Sequence, residues 1–116
     1  MTRCLLAVAL AALTSVPAVA APPARLQVVA REYTLTLSRQ KLKSGPAIVE
    51  LVNFGEDAHD LRLRRIGGTR VYGIPTLPPG RHAALRARLL PGRYVLWCSI
   101  ASHRALGMRA VLVVRR

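Results

Sequence analysis

Apolar and polar residues alternate with a period of two along most of this chain, in short runs separated by turn-forming residues, and no stretch repeats at the helical spacing. Successive side chains of an extended strand point to opposite faces, so such a pattern buries one face of each strand and leaves the other in water. Regularly spaced short strands with turn signals between them lead to an all-β protein, a β-sandwich of antiparallel sheets with Greek-key connections.

The alternation predicts strands at residues 26–31, 33–37, 47–53, 59–64, 81–89, 94–98 and 108–115, and a further short one at 70–73, seven or eight in all. Residues 41–46 read as a turn, while Gly67-Gly68, Pro75 and Pro78-Pro79-Gly80 punctuate a long middle connection. Parity then assigns faces. His59 falls on the apolar side with Leu61 and Leu63, and Tyr94 shares the inward side with Leu96 and Cys98, its hydroxyl bonded near the corner. Trp97 faces the other way, to pack against a neighbour or serve as an interface or relay group. His82 keeps company with Ala84, Arg86 and Arg88 and reads as a solvated histidine, and Asn53 as a structural hydrogen-bonder in a loop.

With 116 residues the chain has room for one small domain. Its first 20 residues have the parts of an export signal: Arg3, the apolar stretch of residues 4–13, and Ala18-Val19-Ala20 as a small-residue cleavage site. The stretch is too short to span a bilayer, which takes about 20 apolar residues. The domain is therefore residues 21–116, and the expected location is periplasmic or otherwise extracytoplasmic. Cleavage removes Cys4 and leaves Cys98 as the single cysteine, so no internal disulfide can form. It also removes Arg3, taking the net charge from +13 to +12. Charge of that size favours anionic partners or surfaces, an anionic membrane among them, or simply solvates the surface. Nucleic acid is set aside, because the chain is exported and lacks interleaved aromatic and basic residues.

Three unusual residues crowd together near the end of the chain. Cys98, His103 and Met108 stand in a C-x4-H-x4-M pattern, from the end of one strand, across a loop, to the start of the next. His59, opening an inward-facing strand, can bring a fourth donor to the same spot. Two imidazoles, a thiolate and a thioether suit copper in both oxidation states, and Cys with two His also suits zinc. Taken singly, each residue has a bland reading: a small buried hydrophobe, core filler, incidental histidines. Together they hold the only cysteine and the only methionine of residues 21–116, and two of the chain's three histidines.

The sequence here resembles the cupredoxins, the family of plastocyanin, azurin and rusticyanin. The resemblance rests on Val52-Asn53-Phe54-Gly55 through His59-Asp60-Leu61, on Leu90-Pro91-Gly92-Arg93-Tyr94-Val95-Leu96-Trp97-Cys98, on His103, and on Gly107-Met108-Arg109-Ala110. It implies a single copper held by His59, Cys98 and His103, with Met108 as the axial ligand. One departure stands out. The family often has Asn after the first histidine, tying the two ligand loops together, whereas this chain has Asp60. Asp60 is then either an ionisable neighbour of the site that adds pH dependence or a simple loop or strand-edge acid bonded to a backbone N–H.

By resemblance the chain is a monomeric electron carrier for redox partner proteins with an acidic docking face. Ile100, Ala101, Ala105 and Leu106 would form the docking patch around His103, and Arg104 and Arg109 would steer the partner. An enzyme is not expected: additional coppers need more histidines than His82, a dinuclear site needs a second cysteine, and the five acids form no convincing catalytic pair. Copper buffering or delivery without electron transfer is the alternative, and a metal-free module binding anionic surfaces is a third reading.

Overall fold

The computed structural model describes Met1, Cys4 and residues 7–116. Arg3 and part of the apolar stretch of the expected signal, Leu5 and Leu6, lie outside the described residues. Residues 7–22 are exposed and carry no regular secondary structure. Nine strands and one short helix follow: β1 (Ala24–Arg31), β2 (Thr34–Leu37), β3 (Lys41–Lys43), β4 (Gly45–Asn53), β5 (His59–Arg65), β6 (Val71–Leu77), β7 (His82–Leu89), β8 (Gly92–Trp97), α1 (His103–Leu106) and β9 (Arg109–Arg115).

The strands form two facing sheets, one in the order β2-β1-β4-β7 and the other β3-β9-β8-β5-β6. Their inward rows make one core. Leu26, Val28, Val49 and Leu51 of the first sheet pack toward Leu61, Leu63, Leu96 and Leu112 of the second, all of them buried. In β2 the leucines are buried and the threonines exposed, as alternation requires. Tyr94 is buried, and its hydroxyl accepts the Leu90 N–H at 2.9 Å, closing the corner between β7 and β8. Asn53 is likewise structural: its Nδ2 donates to Asp57 O and Leu77 O at 2.8 and 2.9 Å, and its Oδ1 accepts the Gly55 N–H.

Four expectations are corrected. Residues 41–46 are not a turn, because Lys41–Lys43 forms an edge strand that buries Leu42 and pairs with Val113–Arg115 of β9. A three-residue strand is too short to show a period, and its partner is far away in sequence. The sheets are mixed, with β1 parallel to β4 and β3 parallel to β9. Alternation reports which face of a strand is buried and says nothing of the neighbour's direction. The stretch opening at His103 is one helical turn, too short for any helical periodicity. The strand expected at residues 70–73 is longer than the alternation shows, Val71–Leu77, because Pro75 sits in an edge strand where a missing N–H costs no ladder bond.

Candidate metal centre

His59 opens β5, Cys98 directly follows β8, His103 opens α1, and Met108 stands just before β9. Since β5, β8 and β9 are neighbours in one sheet, three separate chain segments meet at one end of the sandwich. His59 Nδ1 lies 3.9 Å from Cys98 Sγ, and His103 Nδ1 lies 3.7 Å from it. One donor atom from each residue falls within 4.8 Å of the others, a spacing that could hold a metal ion. His59 and Cys98 are fully buried, and His103 is 8% exposed. Met108 is buried near His59. Backbone bonds pin it: Cys98 N–H donates to Met108 O at 3.1 Å, and Met108 N–H donates to His103 O at 3.0 Å. Burial raises the Cys98 thiol above its ordinary pKa, so the pocket by itself favours the protonated form. A cation bound there would reverse that preference.

Asp60 is bonded to a backbone N–H, one of the two readings its position allowed. It is buried, its Oδ1 accepts the Ser99 N–H at 2.6 Å, its Oδ2 accepts the Ser99 hydroxyl, and Arg62 Nε stands 3.4 Å away. An acid within β5, bonded to a backbone N–H, thereby ties the strand of His59 to the residue after Cys98. The ladder between β5 and β6 is irregular here: His59 pairs with Leu77 but Leu61 with Ile74. His59, Asp60 and Leu61 are consecutive buried residues, which strict alternation forbids and a bulge permits.

Glu32 escaped the sequence reading. It lies between β1 and β2, remote in sequence from every ligand candidate, yet its Oε1 sits 2.9 Å from His59 Nε2. The same oxygen accepts the N–H groups of Glu56 and Asp57 at 2.9 and 2.7 Å. The Asp57 N–H above all, with Glu56 and His59, outweighs the opposing desolvation and lowers its pKa from 4.5 to about 2. An ionised carboxylate at Nε2 favours the tautomer with a proton there, which frees the Nδ1 lone pair to face Cys98. Gly55 completes the arrangement, since a Cβ on it would run into that carboxylate. Beside Glu32, the Tyr33 ring packs on the His103 ring, centroids 5.3 Å apart, so one hairpin tip touches both histidines. No local signal marks Glu32, because the fold alone brings it to His59.

Around His103 the surface is apolar. Ala101, Ala105 and Leu106 are exposed, Leu106 by 54%, and Ile100 is half-buried. Arg104 spreads over the Trp97 ring at 4.9 Å on the outer face of β8, which gives Trp97 its packing partner. His82 is outside the cluster, with a 70% exposed side chain 3.7 Å from Glu50.

The sequence matches no family model and no curated protein. Solved structures are more informative. Auracyanin A, a "blue" copper protein from the green thermophilic photosynthetic bacterium Chloroflexus aurantiacus, superposes with a TM-score of 0.65 at 13% identity, over 81% of this chain and 100% of that one. A purple cupredoxin from Nitrosopumilus maritimus gives 0.57 at 17% identity, over 77% and 98%. The copper-containing nitrite reductase of Thermus scotoductus gives 0.55 at 22% identity, over 89% of this chain but 25% of that one. The fold is that of a cupredoxin, and the small single-domain proteins match it nearly end to end. The enzyme contains it as one part of a larger chain.

Proposed function

We propose that this protein is an exported type 1 copper protein that carries single electrons between redox partners. The observation that carries the reading is the convergence of His59 Nδ1, His103 Nδ1 and Cys98 Sγ in a buried pocket beside Met108, on a cupredoxin fold. His59, Cys98 and His103 would hold the ion, with Met108 as a weaker fourth donor. When bound, copper supplies a one-electron couple at a potential accessible to protein partners. The chain supplies the rest. Its ligands are fixed by β5, β8 and α1, so little rearranges between oxidation states. Glu32 orients His59, Asp60 fixes Ser99 next to Cys98, and the core keeps water out.

His103 lies under the exposed patch of Ala101, Ala105 and Leu106, and is the ligand through which electrons would pass. Exposed Arg104 and Arg109 flank it and would steer a partner with an acidic face. The export signal at residues 1–20, the mature domain at 21–116, a monomeric state and a location outside the cytoplasm belong to the same proposal. Catalysis is left out of the proposal, because the small cupredoxins are matched over almost their whole length and the nitrite reductase over only a quarter of its own. Copper delivery without electron transfer is less well supported, because such sites favour several exposed sulfur or imidazole donors.

The test is the visible spectrum of residues 21–116 with Cu(II). An intense thiolate-to-copper band is expected, bleaching reversibly on reduction and missing in Cys98→Ser. Copper bound without that band would end the electron-carrier reading and leave copper handling. Leu106→Lys is expected to slow electron transfer to a physiological partner, and an unchanged rate would remove the docking assignment.

A further inference from the structure

The excess positive charge is not spread evenly over the fold. Four of the five acidic residues, Glu32, Glu56, Asp57 and Asp60, stand at the end of the sandwich that holds the histidine–cysteine cluster. The fifth, Glu50, lies midway along β4 and is bonded to Gln27. The opposite end, where β5 and β7 finish and β6 and β8 begin, has no acid. It carries Arg65, Arg70, Arg88, Arg93, Lys43 and Arg115, all exposed. The seven residues of β5 separate the two ends by roughly 20 Å.

Aliphatic side chains project from the turns of that basic end. Ile66 is 55% exposed, Val71 48% and Leu90 57%. Leu90 lines one groove with Arg65, Arg70 and Arg88. Two of the arginines are held in place: Arg65 donates from Nε and Nη2 to Pro91 O at 3.0 and 2.6 Å, and Arg70 lies over the Tyr72 ring at 4.7 Å. The Ile66 N–H donates to Arg93 O, which locks the β5–β6 turn against β8. The chain also enters the fold here, at Ala24, whose backbone pairs with the start of β4.

We propose that the end opposite the metal centre is an anchoring surface for an anionic lipid bilayer, with Arg70, Arg88 and Arg93 on headgroup phosphates and Ile66 and Leu90 inserted just below them. Cations ringed around exposed aliphatic tips match the order of charge and hydrocarbon at a bilayer surface. Nucleic acid fits poorly, since base stacking needs exposed aromatic faces and the aromatics here are Tyr72, covered by Arg70, and buried Tyr94. In this orientation the His103 patch points away from the membrane, free to meet partners.

Every strand lies within Ala24–Arg115 and residues 7–22 are exposed, so residues 21–116 contain the whole folded unit and serve for the test. Metal is not required, which separates this experiment from the copper spectrum. Sedimentation with mixed phosphatidylglycerol–phosphatidylcholine vesicles is measured for the wild type, for Arg88→Glu with Arg93→Glu, and for Arg104→Glu with Arg109→Glu. The two double variants change net charge equally. The first is expected to weaken binding roughly tenfold or more and the second at most about threefold. Ile66→Ser with Leu90→Ser, which leaves charge alone, is expected to weaken it several-fold. Lys43→Glu with Arg115→Glu repeats the basic-end test should the first pair lose its native circular dichroism. Equal losses from both ends would overturn the proposal in favour of undirected charge attraction. Vesicle binding untouched by the serine variant, with tight binding to a short DNA duplex or to polyglutamate, would overturn it in favour of a soluble polyanion.

Discussion

Asp60 is the residue at which the sandwich and the metal centre depend on the same bonds, and replacing it separates two kinds of loss. Asp60→Ala removes the acceptor of the Ser99 N–H and of the Ser99 hydroxyl, together with the weak pairing to Arg62. Hydrogen bonds to a charged group contribute about 1.5 to 3 kcal/mol each. Ser99 is exposed enough for water to replace part of what is lost, and the Arg62 side chain is 43% exposed, so its pairing contributes at most about 1 kcal/mol. The expected cost of Asp60→Ala is therefore about 3 kcal/mol. Asp60→Asn keeps an oxygen for the Ser99 N–H and places an N–H beside the Ser99 oxygen, at a cost of about 1 kcal/mol. A domain of this size has about 5 to 15 kcal/mol in total, and each kcal/mol moves Tm by about 4 to 8 °C. Urea unfolding of the metal-free protein, followed by the emission of Trp97, measures both variants without interference from metal binding. In the copper form, freeing Ser99 is expected to broaden the thiolate band in Asp60→Ala and to leave it sharp in Asp60→Asn. If Asp60→Asn proves as damaging as Asp60→Ala, charge and not the bonding pattern is what matters. If Asp60→Ala costs under about 1 kcal/mol, the tie to Ser99 is not structural.

Glu32 has its pKa lowered from 4.5 to about 2, so the stability it confers is fully present above the unfolded value and is lost as pH falls through the folded one. The difference in urea midpoint between wild type and Glu32→Gln should be constant above about pH 5 and shrink between about pH 4.5 and 2. A difference that persists to the acid end would mean the carboxylate is not the group responsible. Gly107 has φ 130° and a Cβ there would meet Tyr33 O at 2.7 Å, so Gly107→Ala should cost about 2 kcal/mol or more and displace the hairpin from His103, visible as shifted His103 ring resonances. Leu96→Ala, at a fully buried position between β5 and β9, should cost about 2 to 5 kcal/mol in the same urea experiment.

Much of this molecule is legible in one dimension because strands announce themselves locally. The inward parity of His59 with Leu61 and Leu63, of Tyr94 with Leu96 and Cys98, and of Leu35 with Leu37 all appear in the burial of those side chains. The C-x4-H-x4-M spacing is likewise local, since it spans only the β8–β9 connection. Residues of a kind that bind metal, placed where two adjacent strands end, can be read without coordinates. β3 could not be read that way: three residues show no period, and pairing with β9 is a long-range event. Nor could the parallel pairing of β1 with β4, because alternation is indifferent to direction.

The sequence by itself determined that the chain is all β, which faces are inward, and that Cys98, His103, Met108 and His59 could share a site. Each follows from residue type and short-range spacing, which act through local backbone geometry. Only the tertiary structure decided that Glu32 meets His59 Nε2, that Tyr33 lies on His103, and that the acids gather at one end while arginines with bare Ile66 and Leu90 occupy the other. Those relations join residues from separate strands, and they come into being only when the two sheets pack and fix which loops are neighbours.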